Sequence, residues 1–179
     1  MVTDLDFRVA EPIKRQFGSG NSETTTIRVW SPRDLVDAKQ FVLDVTQPIL
    51  ELLEVYFQVP FPNPKIDLLF INPETANKDD TTRVEFLIAH DLVNQWVGNL
   101  VTMKWWNDQW LSEGFANYIQ NIVLDYISPK YQSGIQYDLN LLNALAKDAT
   151  ESSHPVSVQV QDPRQMKKSL DDISYNKGI

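Results

Sequence analysis

His90, Asp91, Asn94 and Glu113 are the side chains whose types and spacing could do chemistry. Residues four apart on a helix lie about 40° apart around its axis, on one face. Two imidazoles at that spacing can hold one metal ion, and a carboxylate directly after the first can work on the metal-bound water. In "FLIAHDLVNQWVGNL" the first imidazole position is His90, the carboxylate is Asp91, and Asn94 stands where the second imidazole belongs. Glu113 follows after eighteen intervening residues, on what reads as the next helix, where an antiparallel neighbour would supply a third ligand. Two readings of His90 stay open: a zinc ligand, or a buried histidine bonded to Asn94 and Glu113. In the second case Glu113 would be a cleft carboxylate with a raised pKa.

Elements on either side must hold these groups. "TRVE", Thr82 to Glu85, has the pattern of a capping box and predicts the start of the His90 helix, with Gly98-Asn99 as its stop. "VTMKWWND" reads as a connection, Asn107 or Asp108 as the next N-cap, and "QWLSEGFANYIQNIVLDYI" as the Glu113 helix. Ser128-Pro129 predicts the start of a third helix running to about Ala149. "SSHPVSVQVQDP" is irregular, with His154 expected to fix a turn rather than replace a ligand. Ser169 is the expected N-cap of a last helix, "SLDDISYNKGI", which the sequence leaves after two or three turns. That ending reads as part of a larger helical domain, or as a trimmed relative of one.

Upstream, "FRVAE" and "TTTIRVW" read as strands with "FGSGNSE" as a turn between them. Ser31 and Pro32 predict a helix start, followed by Leu35, Val36, Phe41, Val42, Val45, Ile49, Leu50 and Leu53 at helical spacing. Pro48 should kink or break that helix. "KIDLLFIN" reads as a buried strand, and Asp79-Asp80 as a solvated cap of the His90 helix. Trp96, Trp105, Trp106 and Trp110 are expected in the core and cleft wall, and Lys147, Lys167 and Lys168 on the solvated surface.

The 179 residues suit one domain with a real core, residues 1–30 forming a strand-rich lead-in from a preceding one. The 16 Lys and Arg against 24 Asp and Glu give a net charge of -8, which argues against a nucleic-acid partner. With no cysteine, a thiolate-held metal, a thiol nucleophile and an internal disulfide are all excluded. No run of about 18 apolar residues reads as a membrane segment. The compartment is not legible.

"IAHDLVNQWVGNLVTMKWWNDQWLSEGFANY" resembles the core signature of the M1 zinc aminopeptidases, the gluzincin group that contains aminopeptidase N. "IRVWSPRDLVDAKQFVLDVTQPILELLEVYFQVPFPNPKIDLL" is similar to the segment leading into that family's catalytic domain, and "SSHPVS" and "DDISYNKG" to its downstream landmarks. The resemblance implies an α+β, thermolysin-like catalytic domain: a small mixed sheet packed on a mainly helical half. It also implies zinc as cofactor. His90 matches the first zinc ligand, Glu113 the third, and Tyr175 the tyrosine that supports the oxyanion of the tetrahedral intermediate.

Three departures follow. Asn94 replaces the second histidine, and its neutral amide oxygen is a poor zinc donor. Asp91 replaces the general-base Glu and is one methylene shorter, where a misplacement of about 1 Å can cost about 100-fold in rate. The family's G-x-M-E-N segment, which holds the substrate's amino group, has no counterpart: the methionines are Met1, Met103 and Met166, and only Pro73 to Arg83 join "KIDLLFIN" to the His90 helix. The expectation is an impaired M1-type domain with zinc absent or weakly bound. Its role would be binding or regulation, through peptide N-termini or an active M1 relative. The rival expectation is an active zinc aminopeptidase with a non-standard metal shell.

Overall fold

A computed structural model describes residues 7–9, 13–16, 24–32, 38–69, 81–127, 132–162 and 171–177. The chain divides into two compact units, Met1–Ala89 and His90–Ile179. The division falls inside one helix, α2 (Thr81–Val93).

The first unit is built around a nine-residue strand. β3 (Thr24–Pro32) pairs antiparallel with β1 (Phe7–Val9) and β2 (Ile13–Gln16), and parallel with β4 (Lys65–Leu69). β1 faces residues 30–32 and β2 faces residues 24–27, so the two lie in succession along one edge of β3 with β4 along the other. The sheet is therefore mixed. The alternation of "TTTIRVW" is expressed directly: Thr25, Ile27, Val29 and Ser31 are buried while Thr26, Arg28 and Trp30 are half-buried. α1 (Ala38–Phe57) packs on β3 and buries Val42, Leu43, Thr46, Ile49, Leu50 and Leu53.

Several expectations need correction here. Ser31 and Pro32 do not start the helix; they end β3, because Ser31 continues the buried face of the strand. The strand β2 was not foreseen, since "IKRQ" has no apolar alternation; its register along β3 makes it a strand. Pro48 does not break α1, which runs unbroken from Ala38 to Phe57. Ile49, Leu50 and Leu53, all buried, hold the turns after the proline on the core, and that burial outweighs the lost backbone bond. β4 is not a buried strand: Ile66 and Leu68 are half-buried, while Leu69 is 60% exposed. Among the described residues it is an edge strand, and its Asp67 accepts from Arg28 Nη2 at 2.8 Å and Trp30 Nε1 at 2.9 Å across the parallel register.

In the second unit α3 (Gln109–Ile127), α4 (Ser133–Asp148) and α5 (Asp172–Asn176) pack on one another. α3 has the bounds its sequence predicts. Its buried face is unusually polar, with Ser112, Asn117, Gln120 and Asn121 beside Ala116, Ile119, Val123 and Leu124. α4 is capped otherwise than expected. Ser128-Pro129 lie outside the described residues; Gln132 occupies the N-cap at φ 47°, and Asp125 Oδ1 reaches back to accept the Ser133 N–H at 2.8 Å. α5 is capped by Asp171, in a reciprocal capping box with Ser174, while Ser169 lies outside the described residues.

Candidate functional site

α2 carries His90 and Asp91 in its last turn. It begins at Thr81, one residue before the predicted N-cap Thr82, and Asp79-Asp80 lie outside the described residues. Asn94 is the first residue past α2, yet its N–H still donates to the His90 carbonyl at 3.1 Å. The i, i+4 relation between the two is intact. The chain then tightens: Gln95 N bonds Leu92 O and Trp96 N bonds Val93 O. Gly98, at φ 135°, turns it back so that its N–H meets Val101 O at 2.7 Å. Only glycine takes that backbone conformation without strain. A Cβ at Gly98 would also sit 3.3 Å from Asn94 O.

α3 supplies Glu113, and α5 supplies Tyr175. His90 Nε2 lies 3.1 Å from Glu113 Oε2 and donates to it. The other oxygen, Oε1, accepts from Gln109 Nε2 at 3.0 Å, one helical turn earlier on α3. The Tyr175 hydroxyl also helps pull the Glu113 carboxyl down, and the His90 and Tyr175 rings lie 6.2 Å apart, tilted by 46°. His90, Glu113 and Tyr175 thus converge from three helices. Two donors of a tetrahedral metal with bonds of about 2.0–2.1 Å lie about 3.3 Å apart. The His90–Glu113 hydrogen bond keeps close to that spacing.

Asn94 does not join the His90–Glu113 bond. Its Oδ1 is buried, with no hydrogen-bond partner among the described residues. Leaving such an acceptor unpaired costs about 1–3 kcal/mol. Asp91 is exposed. Among the described residues, no three His, Cys, Asp or Glu side chains group as metal ligands.

Electrostatics correct one more expectation. Burial pushes the Glu113 carboxyl up, but hydrogen bonds from His90, Gln109 and Tyr175 outweigh it and hold Glu113 below the usual range. Glu113 is therefore an ionised acceptor, not a protonated relic. Asp91 moves the other way: loss of water around it raises its pKa, opposed by His90 and reinforced by the charge of Glu113. Tyr175 is raised by burial and then by the neighbouring Glu113 charge, so its phenol stays protonated.

Sequence reasoning missed several members. Gln109 was detectable as the i, i+4 partner of Glu113. Asn117, four residues beyond Glu113, donates to Tyr175 O at 3.2 Å and to Asn176 Oδ1 at 2.6 Å, and so holds α5. His154 has Nδ1 on Pro155 O at 3.0 Å, and it also reaches Asp171 Oδ2 at 2.9 Å. Asn107 and Asp108 serve this segment too: Val160 N and Ser157 Oγ donate to them. Trp96 is buried as expected, but Trp105 is 50% and Trp106 37% exposed, because Trp105 lies along the surface with Nε1 on Val160 O. Lys147 is exposed and paired with Asp172; Lys167 and Lys168 lie outside the described residues.

The Peptidase family M1 domain matches residues 67–179. Endoplasmic reticulum aminopeptidase 1 of Homo sapiens is 33% identical over 175 residues, covering 85% of this chain and 19% of the relative. Aminopeptidase N of Homo sapiens is 32% identical over 210 residues, covering 99% of this chain and 20% of the relative. Leucyl aminopeptidase of Saccharolobus solfataricus is 34% identical over 167 residues, covering 80% and 21%. The chain spans about a fifth of the length of these curated relatives. The aminopeptidase N match runs over 210 residues against the 179 of this chain, so that relative carries residues within the matched span that are absent here.

Proposed function

The chain belongs to peptidase family M1, and on that premise we propose that it is a thermolysin-like domain with a degenerate centre, acting by binding or regulation rather than by hydrolysis. The observation that carries this reading is Asn94. The residue at the second ligand position is a neutral amide whose oxygen is buried and unpaired among the described residues. His90 and Glu113 suit a zinc ion in chemistry and spacing, but a catalytic zinc takes three protein ligands. With Asn94 as the third, the donor set does not fit a tightly held zinc. Two further losses point the same way. Asp91 is a methylene short of the base position, and the segment that would anchor a substrate's amino group is missing from the sequence. The cleft would then engage peptide N-termini without cleaving them, or the domain would pair with an active M1 relative.

One observation favours a second reading, an active zinc aminopeptidase with a non-standard metal shell. His90, Glu113 and Tyr175 still converge, with the first two at 3.1 Å. Metal content separates the readings. Protein purified without added zinc and then incubated with a modest excess is expected to hold far less than one zinc per chain. About one tightly held zinc per chain would overturn the degenerate-centre reading.

A further inference from the structure

α5 is gripped at its N-terminus by Asp171. Ile173 is 2% exposed and Ser174 not at all. At the N-terminus Asp171 Oδ1 accepts the N–H groups of Ile173 at 3.0 Å and Ser174 at 3.1 Å, and Ser174 Oγ returns the bond to the Asp171 backbone at 2.9 Å. The second carboxylate oxygen, Oδ2, is held by His154 Nε2 at 2.9 Å. His154 Nδ1 lies 3.0 Å from Pro155 O. Both partners of the ring are acceptors, an ionised carboxylate and a backbone carbonyl, and neither can donate. A neutral imidazole has one N–H and the imidazolium two. Only the charged ring satisfies both contacts.

We infer that His154, as an imidazolium, is a positioning residue for Tyr175: it clamps Asp171, Asp171 caps α5, and α5 sets the tyrosine against Glu113. The inference rests on the M1 reading of Tyr175 as the retained oxyanion-position residue. Among the described residues, the charged groups around the clamp come from α4, α5 and the residues that follow them. Asp171 and Asp172 lie at the start of α5, with Asp172 paired to Lys147. Asp148, at the end of α4, pairs with Lys177 and accepts from Ser153. The Asp171 hydrogen bond foremost, then the Pro155 carbonyl, raise the His154 pKa. On Asp171, burial pushes upward and is outweighed by the His154 and Ser174 bonds, so it stays ionised. The folded pKa of His154 thus exceeds its unfolded value of about 6.5. Its contribution is fully present below that value and is lost as pH rises through the folded pKa.

The test uses the whole chain with labelled tyrosine and histidine, from about pH 5.5 to 9. Tyr175 is assigned through Tyr175→Phe, and His154→Gln serves as a neutral ring replacement. The Tyr175 resonance is expected to inflect at the midpoint of the His154 ring, above the ordinary histidine value. Amide protection of Ile173 and Ser174 should fall about tenfold over the same window, the scale of a lost cap. In His154→Gln that inflection should vanish. A merely structural His154 would give a pH-flat α5. An unchanged inflection in His154→Gln, or a His154 ring with one proton below pH ~6, overturns the inference. If the variant does not fold, a Tyr175 midpoint that differs from that of His154 in the wild type overturns it alone. Tight zinc uptake would sink the degenerate-centre reading and leave this result untouched.

Discussion

Restoring an imidazole at position 94 should return a metal site without returning catalysis. The backbone register for it exists, since Asn94 N still bonds His90 O at 3.1 Å and the two side chains belong to one helical face. The other two donors already lie 3.1 Å apart. Structural zinc sites with four ligands bind with about 10–16 kcal/mol, so one ligand is worth about 3 kcal/mol if shared equally. That corresponds to about a hundredfold in Kd. Metal binding must also break the His90–Glu113 bond, at about 1.5–3 kcal/mol for a bond to a charged group. This cost falls on wild type and variant alike and cancels in the comparison. Zinc titrated against a chromophoric chelator should therefore show Asn94→His binding about a hundredfold more tightly than wild type. Asp91→Glu with Asn94→His should bind comparably and still fail to turn over an aminoacyl substrate, because the amino-group anchor remains absent. Equal zinc affinity for wild type and Asn94→His would refute the argument from donor chemistry. Robust turnover by the double variant would refute the argument from the missing segment.

Three further predictions concern stability. Trp30 first, then Arg28, hold Asp67 down to about 2 from 3.8, so its contribution is complete above pH ~4 and lost as pH falls through about 2. Asp67→Asn should blunt the acid end of the unfolding profile; the group is partly exposed, so the loss near neutrality is under about 1 kcal/mol, with Tm falling no more than about 2–4 °C. Gly98→Ala forces a Cβ onto a φ of 135°, 3.3 Å from Asn94 O, and should cost about 1–3 kcal/mol in urea unfolding. A variant as stable as wild type would show that the turn relaxes freely. Leu53→Ala removes a fully buried side chain from α1 and should cost about 2–5 kcal/mol, read as a shift in the urea midpoint at constant m.

Much of the candidate site was legible because its logic is local. The i, i+4 spacing of His90 and Asn94, and the apolar period of residues 109–127, are properties of a helix whatever surrounds it. Gln109 was legible in the same way and was passed over. Tyr175 was reachable only through resemblance, since nothing in its own neighbourhood marks it. The Ser31-Pro32 start failed because a buried strand face outweighed a capping pattern. The Pro48 break failed because the turn beyond it is anchored by buried side chains. Glu113 failed in sign: burial was foreseen, but three converging donors were not.

The sequence by itself pointed to the family, set the helix that carries His90, and put Asp91, Asn94 and the short Pro73 to Arg83 join where they stand, because these are residue identities at local spacings. Tertiary structure alone decided that Asn94 Oδ1 has no hydrogen-bond partner among the described residues, that the bonds around Glu113 pull its pKa down, and that His154 reaches Asp171 across 17 residues. Each of these depends on which donors and acceptors meet from distant parts of the chain. A hydrogen bond or a pKa is set by that company and not by the order of the residues.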